Sequence, residues 1–148
     1  MRARDLAAPF PTIEVSAPVL DAARLLAEND LPGLVAIDAQ GMPVAILPGT
    51  QVLRMAVPRY CQDDPTLARV IDEEHADLFL RELSGRTVAD GLSERSGELP
   101  VVDPDATVLE IAALMARSRS PLVAVVERRQ LLGVVTLDAL LDRMLAPD

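Results

Sequence analysis

Residues 10–37 and residues 99–126 are two copies of one pattern, set at a constant offset of 89. Phe10-Pro11 lies over Leu99-Pro100, Ile13 over Val102, and Val19-Leu20-Asp21 over Val108-Leu109-Glu110. Ala23 pairs with Ala112, Leu25 with Leu114, Leu26 with Met115, Ala27 with Ala116 and Pro32 with Pro121. After the next turn the offset falls to 88, so that Ala45 lies over Gly133, Ile46 over Val134, and Val52-Leu53 over Leu140-Leu141. One residue lost in a hairpin turn accounts for the step. A repeat this ordered restricts the chain to a pair of like units stacked on a shared core. Its 148 residues suit one compact domain or two such small repeats.

The element order is the same in each copy. Val19, Ala22, Ala23 and Leu26 follow the i, i+3, i+4, i+7 stripe of an amphipathic helix, and Val108, Ile111, Ala112 and Met115 repeat it. Ser16 and Asp105 stand ahead of these helices as expected N-caps. The apolar runs Leu34–Ile37 and Leu122–Val126 read as buried strands. Asp38–Gly41 and Glu127–Gln130 turn them into Val44–Leu47 and Leu131–Val135, giving one hairpin per copy. A closing helix follows, clearest in Leu137, Leu140, Leu141, Met144 and Leu145. Each copy therefore runs strand, helix, strand, strand, helix, an α/β (α+β) class with two pseudo-symmetric repeats whose sheets pack together.

The expected organisation is repeat one over residues 2–58, a helical linker over 59–85, and repeat two over 86–147. Within the linker, Asp64-Pro65 reads as an N-cap followed by proline at the first helical position, and one helix is predicted over roughly 65–83, ended by Gly85. The polar stretch from Gly91 to Gly97 is predicted as a loop.

Composition narrows function. Lys and Arg number 14 against 23 Asp and Glu, a formal charge of −9, so nucleic acid and anionic lipid are repelled. The only aromatic residues are Phe10, Tyr60 and Phe79, too few for base-stacking platforms. The single cysteine, Cys61, forms no internal disulfide, in keeping with a reducing compartment. No apolar run approaches the roughly 20 residues that span a bilayer, and the first residues lack the apolar core of a secretion signal. A cytoplasmic chain without membrane insertion is the expectation.

Catalytic chemistry finds little to work with. His75 is the only histidine and lies among acids on the linker, where a solvated or i,i+4-paired imidazole is the plainer reading. Cys61 has only Arg59 near it in sequence and reads as a packed thiol rather than a nucleophile. One His and one Cys do not make a zinc site. Asp63, Asp64, Asp72, Glu73, Glu74 and Asp77 match no calcium-loop spacing and read as a solvated face. No phosphate-cradling glycine loop or dinucleotide fingerprint is present. The chain is expected not to be an enzyme.

The runs LPVVDPDATVLEIAALM and SPLVAVVERRQLLGVVTLDALL, doubled in weaker form upstream, resemble a tandem pair of cystathionine-β-synthase (CBS) domains. The resemblance covers nearly the whole chain. It implies a regulatory module, of the kind used in energy sensing, that forms a homodimer and signals to a separately encoded transporter, channel or enzyme. It also implies clefts between the repeats that take adenine nucleotides or S-adenosylmethionine, with no covalent cofactor. The family turn runs Gly, two apolar residues, Thr or Ser, two residues, then Asp. Gly133-Val134-Val135-Thr136 fits its first part, but Ala139 occupies the acid position and Asp138 comes one residue early. Asp138 either contacts a ribose or serves as an ordinary acid at a helix N-terminus. In the first copy Ala45 replaces the glycine, Pro48 the hydroxyl and Gln51 the acid.

The resemblance thus marks Val102, Pro121, Leu122, Val134, Thr136 and Asp138 as ligand contacts of the better half-site, with Arg119 as a phosphate donor near Arg117. Ile13, Leu31, Pro32, Thr50 and Gln51 are their counterparts in the weaker one, within reach of Arg54. Two functions stay open: a sensor of an adenosine-containing metabolite (AMP, ADP, ATP or S-adenosylmethionine), or a ligand-free dimerisation and docking module. An open cleft with converging arginines favours the first, and apolar filling of the cleft favours the second.

Overall fold

The backbone follows the duplicated pattern and adds to each copy a leading helical turn. The chain runs α1 (Ala3–Leu6), β1 (Thr12–Glu14), α2 (Val19–Asn29), β2 (Gly33–Ile37), β3 (Pro43–Pro48) and α3 (Gly49–Ala56). The linker holds α4 (Arg59–Asp63) and a 3-10 turn (Pro65–Val70), and then come α5 (Val88–Arg95), β4 (Val101–Val102), α6 (Val108–Ser118), β5 (Leu122–Glu127), β6 (Gln130–Thr136) and α7 (Leu137–Leu145). The computed structural model describes residues 1–31, 33–57, 59–70, 80–95 and 99–146. Pro32, His75 and the acids Asp72, Glu73, Glu74 and Asp77 lie outside them.

Two three-stranded sheets repeat one another. β1 runs parallel to β2, which pairs antiparallel with β3; β4, β5 and β6 do the same. Thr12 faces Val35 and Val101 faces Ala124, while Val35 faces Ile46 and Ala124 faces Val134. The offset is therefore 89 before the hairpin and 88 after it, as the sequence alignment expects. The first hairpin closes through Asp38, whose Oδ1 accepts from the N–H groups of Gln40 and Met42, both at 2.9 Å. The second closes through Arg128 and Arg129, both left-handed at φ 51° and 63°. Two positive φ values between the paired Glu127 and Gln130 are the backbone of a type I′ turn. A bulge at the same place in each hairpin leaves Val44 and Leu132 as extra residues, both exposed.

Three apolar layers hold the molecule. Ile13, Val19, Leu26, Leu34, Leu47 and Val52 form the first repeat's core, and Val102, Ile111, Met115, Val123, Val135 and Leu140 the second's. Val35, Ile46, Leu122 and Val134 join the two sheets, flanked by Phe10, Ile37 and Leu99. The strand alternation makes this possible, because Leu34 and Leu47 face the helices while Val35 and Ile46 face the other sheet.

Each leading turn belongs by sequence to one repeat and by packing to the other. Ala3 and Arg4 donate their N–H groups to the carbonyls of Ala106 (2.8 Å) and Pro104 (3.0 Å). Val88 and Ala89 donate theirs to Ala17 and Val15, both at 2.9 Å. The two sets are related by offsets of 85 on the donor side and 89 on the acceptor side. Both turns start alike, with the Arg2 N–H on the Asp5 carboxylate at 2.8 Å and the Thr87 N–H on the Asp90 carboxylate at 2.9 Å. Ala3 thus completes the second core, and Val88 and Leu92 complete the first. An exposed ion pair between Arg4 and Asp105 ties α1 to the second repeat, and its hydrogen bond and charge raise the Arg4 pKa.

Three expectations are corrected. The stretch after Gly91 is not a loop as far as Arg95: it continues α5, which is started by Thr87 and Asp90 and anchored by Val88 and Leu92. Of the helix expected over 65–83, residues 65–70 form a 3-10 turn, residues 80–84 are helical up to Gly85, and residues 71–79 lie outside the described residues. Asp64 Oδ1 accepts from both the N–H and the hydroxyl of Thr66, and the Asp64 carbonyl takes the Leu67 N–H, which tightens the winding. The helix caps are Pro18 and Thr107, not Ser16 and Asp105. The Thr107 hydroxyl accepts from the Glu110 N–H at 3.1 Å, whereas at α2 the Arg86 carbonyl takes the Val19 N–H at 3.0 Å.

Candidate ligand cleft and helical face

The strand-to-helix turn that ends each repeat is built by a cross-strand pair: Leu122 with Thr136 in the second repeat and Gly33 with Pro48 in the first. In the second repeat the Leu137 N–H reaches the Pro121 carbonyl at 2.9 Å, which brings Pro121, Thr136 and the head of α7 to one corner. The Thr136 hydroxyl accepts from the Ala139 N–H at 3.1 Å and so caps α7. Asp138 stands in the first turn of α7, exposed, where the helix dipole favours a carboxylate. Ala139, at the acid position, is half-buried.

The marked residues fall into two groups. Pro121, Thr136, Asp138 and Arg119 reach the surface at this corner, and Arg119 sits left-handed at φ 56° as the C-cap of α6. Thr50 is exposed at the head of α3, and Leu31 packs half-buried against the first core. Val102 and Ile13 belong to the two cores. Leu122 and Val134 are 2% and 1% exposed and fill the layer between the sheets. Gln51 is 5% exposed, and its Nε2 donates to the Gly91 carbonyl at 3.0 Å. A side chain fixed in that way ties α3 to α5 and does not face the cleft.

The described residues also hold a cavity of about 550 Å³ on the other side of the second sheet, between α6 and α7. Ala112 and Ala116 line it together with Leu137, Leu141 and Met144, and Arg119 and Pro121 close one end. This helical face is strongly apolar: Leu109, Leu137, Leu141, Met144 and Leu145 are all exposed. The sequence signal for it is the number of leucines on α7 beyond those its core stripe needs. Cys61 is buried, as a packed thiol should be. Among the described residues no three His, Cys, Asp or Glu side chains gather as a metal site would require. No helix of the described residues is long and apolar enough to cross a membrane.

The CBS-domain family model matches residues 3–57 and 95–146, the two halves that the sheet register relates. The chain belongs to the CBS-domain family. It is a tandem CBS pair of mixed α+β architecture, and CBS domains are generally regulatory rather than catalytic. It is similar to a CBS domain-containing protein of unknown function from Kribbella flavida, at 46% identity, covering 99% of each chain with a TM-score of 0.90. The CBS domain of a CBS domain-containing membrane protein from Sphaerobacter thermophilus is 21% identical, covering 100% of this chain and 90% of that one, with a TM-score of 0.74. CBSX2 in complex with AMP is 19% identical, covering 97% of this chain and 96% of that one, with a TM-score of 0.68. No curated protein matches the CBS pair described here.

Proposed function

We propose that this CBS pair is a regulatory docking module: it self-associates through its helical face and controls a separately encoded protein by contact. The observation that carries this reading is the use made of the two acid positions. Gln51 is buried and bonded to Gly91, and Ala139 carries no polar group, so neither acid position presents a carboxylate. The buried Leu122 and Val134 support it, since they fill the layer between the sheets. So does the face around Leu137, Leu141 and Met144, where several large apolar side chains stand exposed side by side.

A second reading, an adenosine-containing ligand such as AMP or S-adenosylmethionine at the second repeat, is favoured by one feature. Pro121, Thr136 and Asp138 converge at the head of α7, where backbone N–H groups suit a phosphate, and the structural relative CBSX2 is seen with AMP. Thermal unfolding with AMP, ADP, ATP, S-adenosylmethionine and NAD separates the two. A ligand at 100 times its Kd adds about 2.7 kcal/mol, which is a shift of several degrees. No shift at millimolar concentration is expected of a docking module. A shift that Thr136→Ala abolishes would replace this reading with the sensor.

A further inference from the structure

The two hairpins, so alike in register, make their turns with different residues. The first takes its positive φ at Gly41, at 83°, beside the Asp38 carboxylate. The second places Arg128 and Arg129 in the left-handed region at 51° and 63°, where a side chain crowds the backbone and Asn-Gly would not. Backbone strain of this kind gathers where a side chain has a task. Both arginines are exposed at the far end of the hairpin, about 20 Å of extended strand from Thr136 and the candidate cleft.

The short turn α1 lies beside the same tip. Its Arg4 guanidinium is bonded to Asp105, which raises the Arg4 pKa, and Glu127 of the hairpin adds to that field. The other acids of this end are engaged within the chain: Asp5 accepts from the Arg2 N–H and Asp103 from the Asp105 N–H, both at 2.8 Å. The guanidinium groups of Arg128 and Arg129 have no hydrogen bond or ion pair among the described residues.

Charge selects the occupant. Arg2, Arg4, Arg128 and Arg129 offset Asp5, Asp103, Asp105 and Glu127, so this end is neutral and the rest of the chain carries the formal −9. A nucleic acid or an anionic bilayer presents charge over a wide front and meets that −9 as well. A short acidic segment that touches only the tip meets the two arginines, and screening with a Debye length of about 8 Å dims the field of acids farther away. Each guanidinium offers a carboxylate two parallel N–H donors.

Resting on the docking role proposed above, we propose that the β5–β6 hairpin tip is a contact point for the separately encoded partner, and that Arg128 and Arg129 hold a carboxylate-rich segment of that partner's chain.

The probe is octaglutamate labelled with fluorescein, titrated with the full chain and followed by fluorescence anisotropy. Saturable binding that weakens as salt rises is expected. Arg128→Asn with Arg129→Gly is expected to weaken it at least tenfold while Tm does not fall, a split that a merely structural turn would not produce. Arg24→Asn with Arg54→Asn removes the same charge from two exposed helical positions and is expected to bind within twofold of the parent. Equal binding by the turn variant, or an equal loss in the helical one, overturns the inference, and so does a parent chain that fails to bind at millimolar concentration. Phosphatidylserine vesicles that hold the parent but not the turn variant, with octaglutamate unbound, would assign the tip to a membrane instead. A nucleotide-induced shift in Tm that Thr136→Ala abolishes would remove the docking role itself, whereas failure of peptide binding alone removes only this contact.

Discussion

The Gln51 side chain donates to the Gly91 carbonyl at 3.0 Å, across 40 residues of sequence. This buried amide is a clamp between α3 and α5. Gln51→Ala removes the donor and opens a cavity in a buried site, which should cost about 2–4 kcal/mol. Chemical denaturation followed by circular dichroism measures it, and a loss below 0.5 kcal/mol would mean that the amide is not a clamp.

The two most closely approached glycines should respond differently to alanine. A Cβ at Gly133 would stand 2.9 Å from the Ala8 carbonyl oxygen and 3.1 Å from the Ala8 nitrogen, both backbone atoms. A Cβ at Gly91 would meet chiefly the Met55 sulfur, part of a side chain that can turn away, and it gains about 1 kcal/mol of helix propensity. Gly133→Ala is expected to lose roughly 1–3 kcal/mol and to loosen residues 1–9 in hydrogen exchange, with Gly91→Ala within about 1 kcal/mol of the parent. Equal losses at both sites would contradict this account.

Arg128 and Arg129 occupy a turn that Asn-Gly fills without strain. Replacing the pair with Asn-Gly should stabilise the chain by about 1–2 kcal/mol, seen as a higher Tm. An unchanged or lower Tm would show that the arginines make contacts that offset their backbone cost.

Thr107 and Thr136 make the same cap at the same distance, one on each outer helix of the second repeat. Thr107→Ala and Thr136→Ala should each cost about 1 kcal/mol. Under the docking reading the two variants stay equal in the presence of every nucleotide. Loss of a nucleotide-induced shift in Thr136→Ala alone is the outcome that would separate them.

Deleting residues 1–9 should weaken the second repeat more than the first. Ala3 sits in the second core, and the Ala8 N–H and carbonyl bridge to Val134 at 3.1 and 2.9 Å. Amide exchange resolved by residue reads the effect directly: protection is expected to fall across Val123–Val135 while β2 and β3 keep theirs.

Much of the fold was legible because it is periodic. The offset of 89 and then 88 located both sheets and all four outer helices, since a helix needs its stripe and a buried strand its apolar run wherever they occur in the chain. The candidate site was legible only in outline. Thr136 as a hydroxyl at a strand-to-helix turn could be read locally, and so could the missing acid at Ala139.

What local pattern could not supply was the partner of each group. Sequence determined that two strand–helix–strand–strand–helix units exist, and which of their residues are apolar. Tertiary structure decided that Val88 completes the first core and Ala3 the second, that α5 is helix rather than loop, and that Gln51 points to Gly91 rather than to a cleft. The reason is physical: periodicity encodes which face of an element is apolar, whereas a short turn or a single amide is held by groups distant in sequence. Those groups come within hydrogen-bonding reach only after the two sheets have packed.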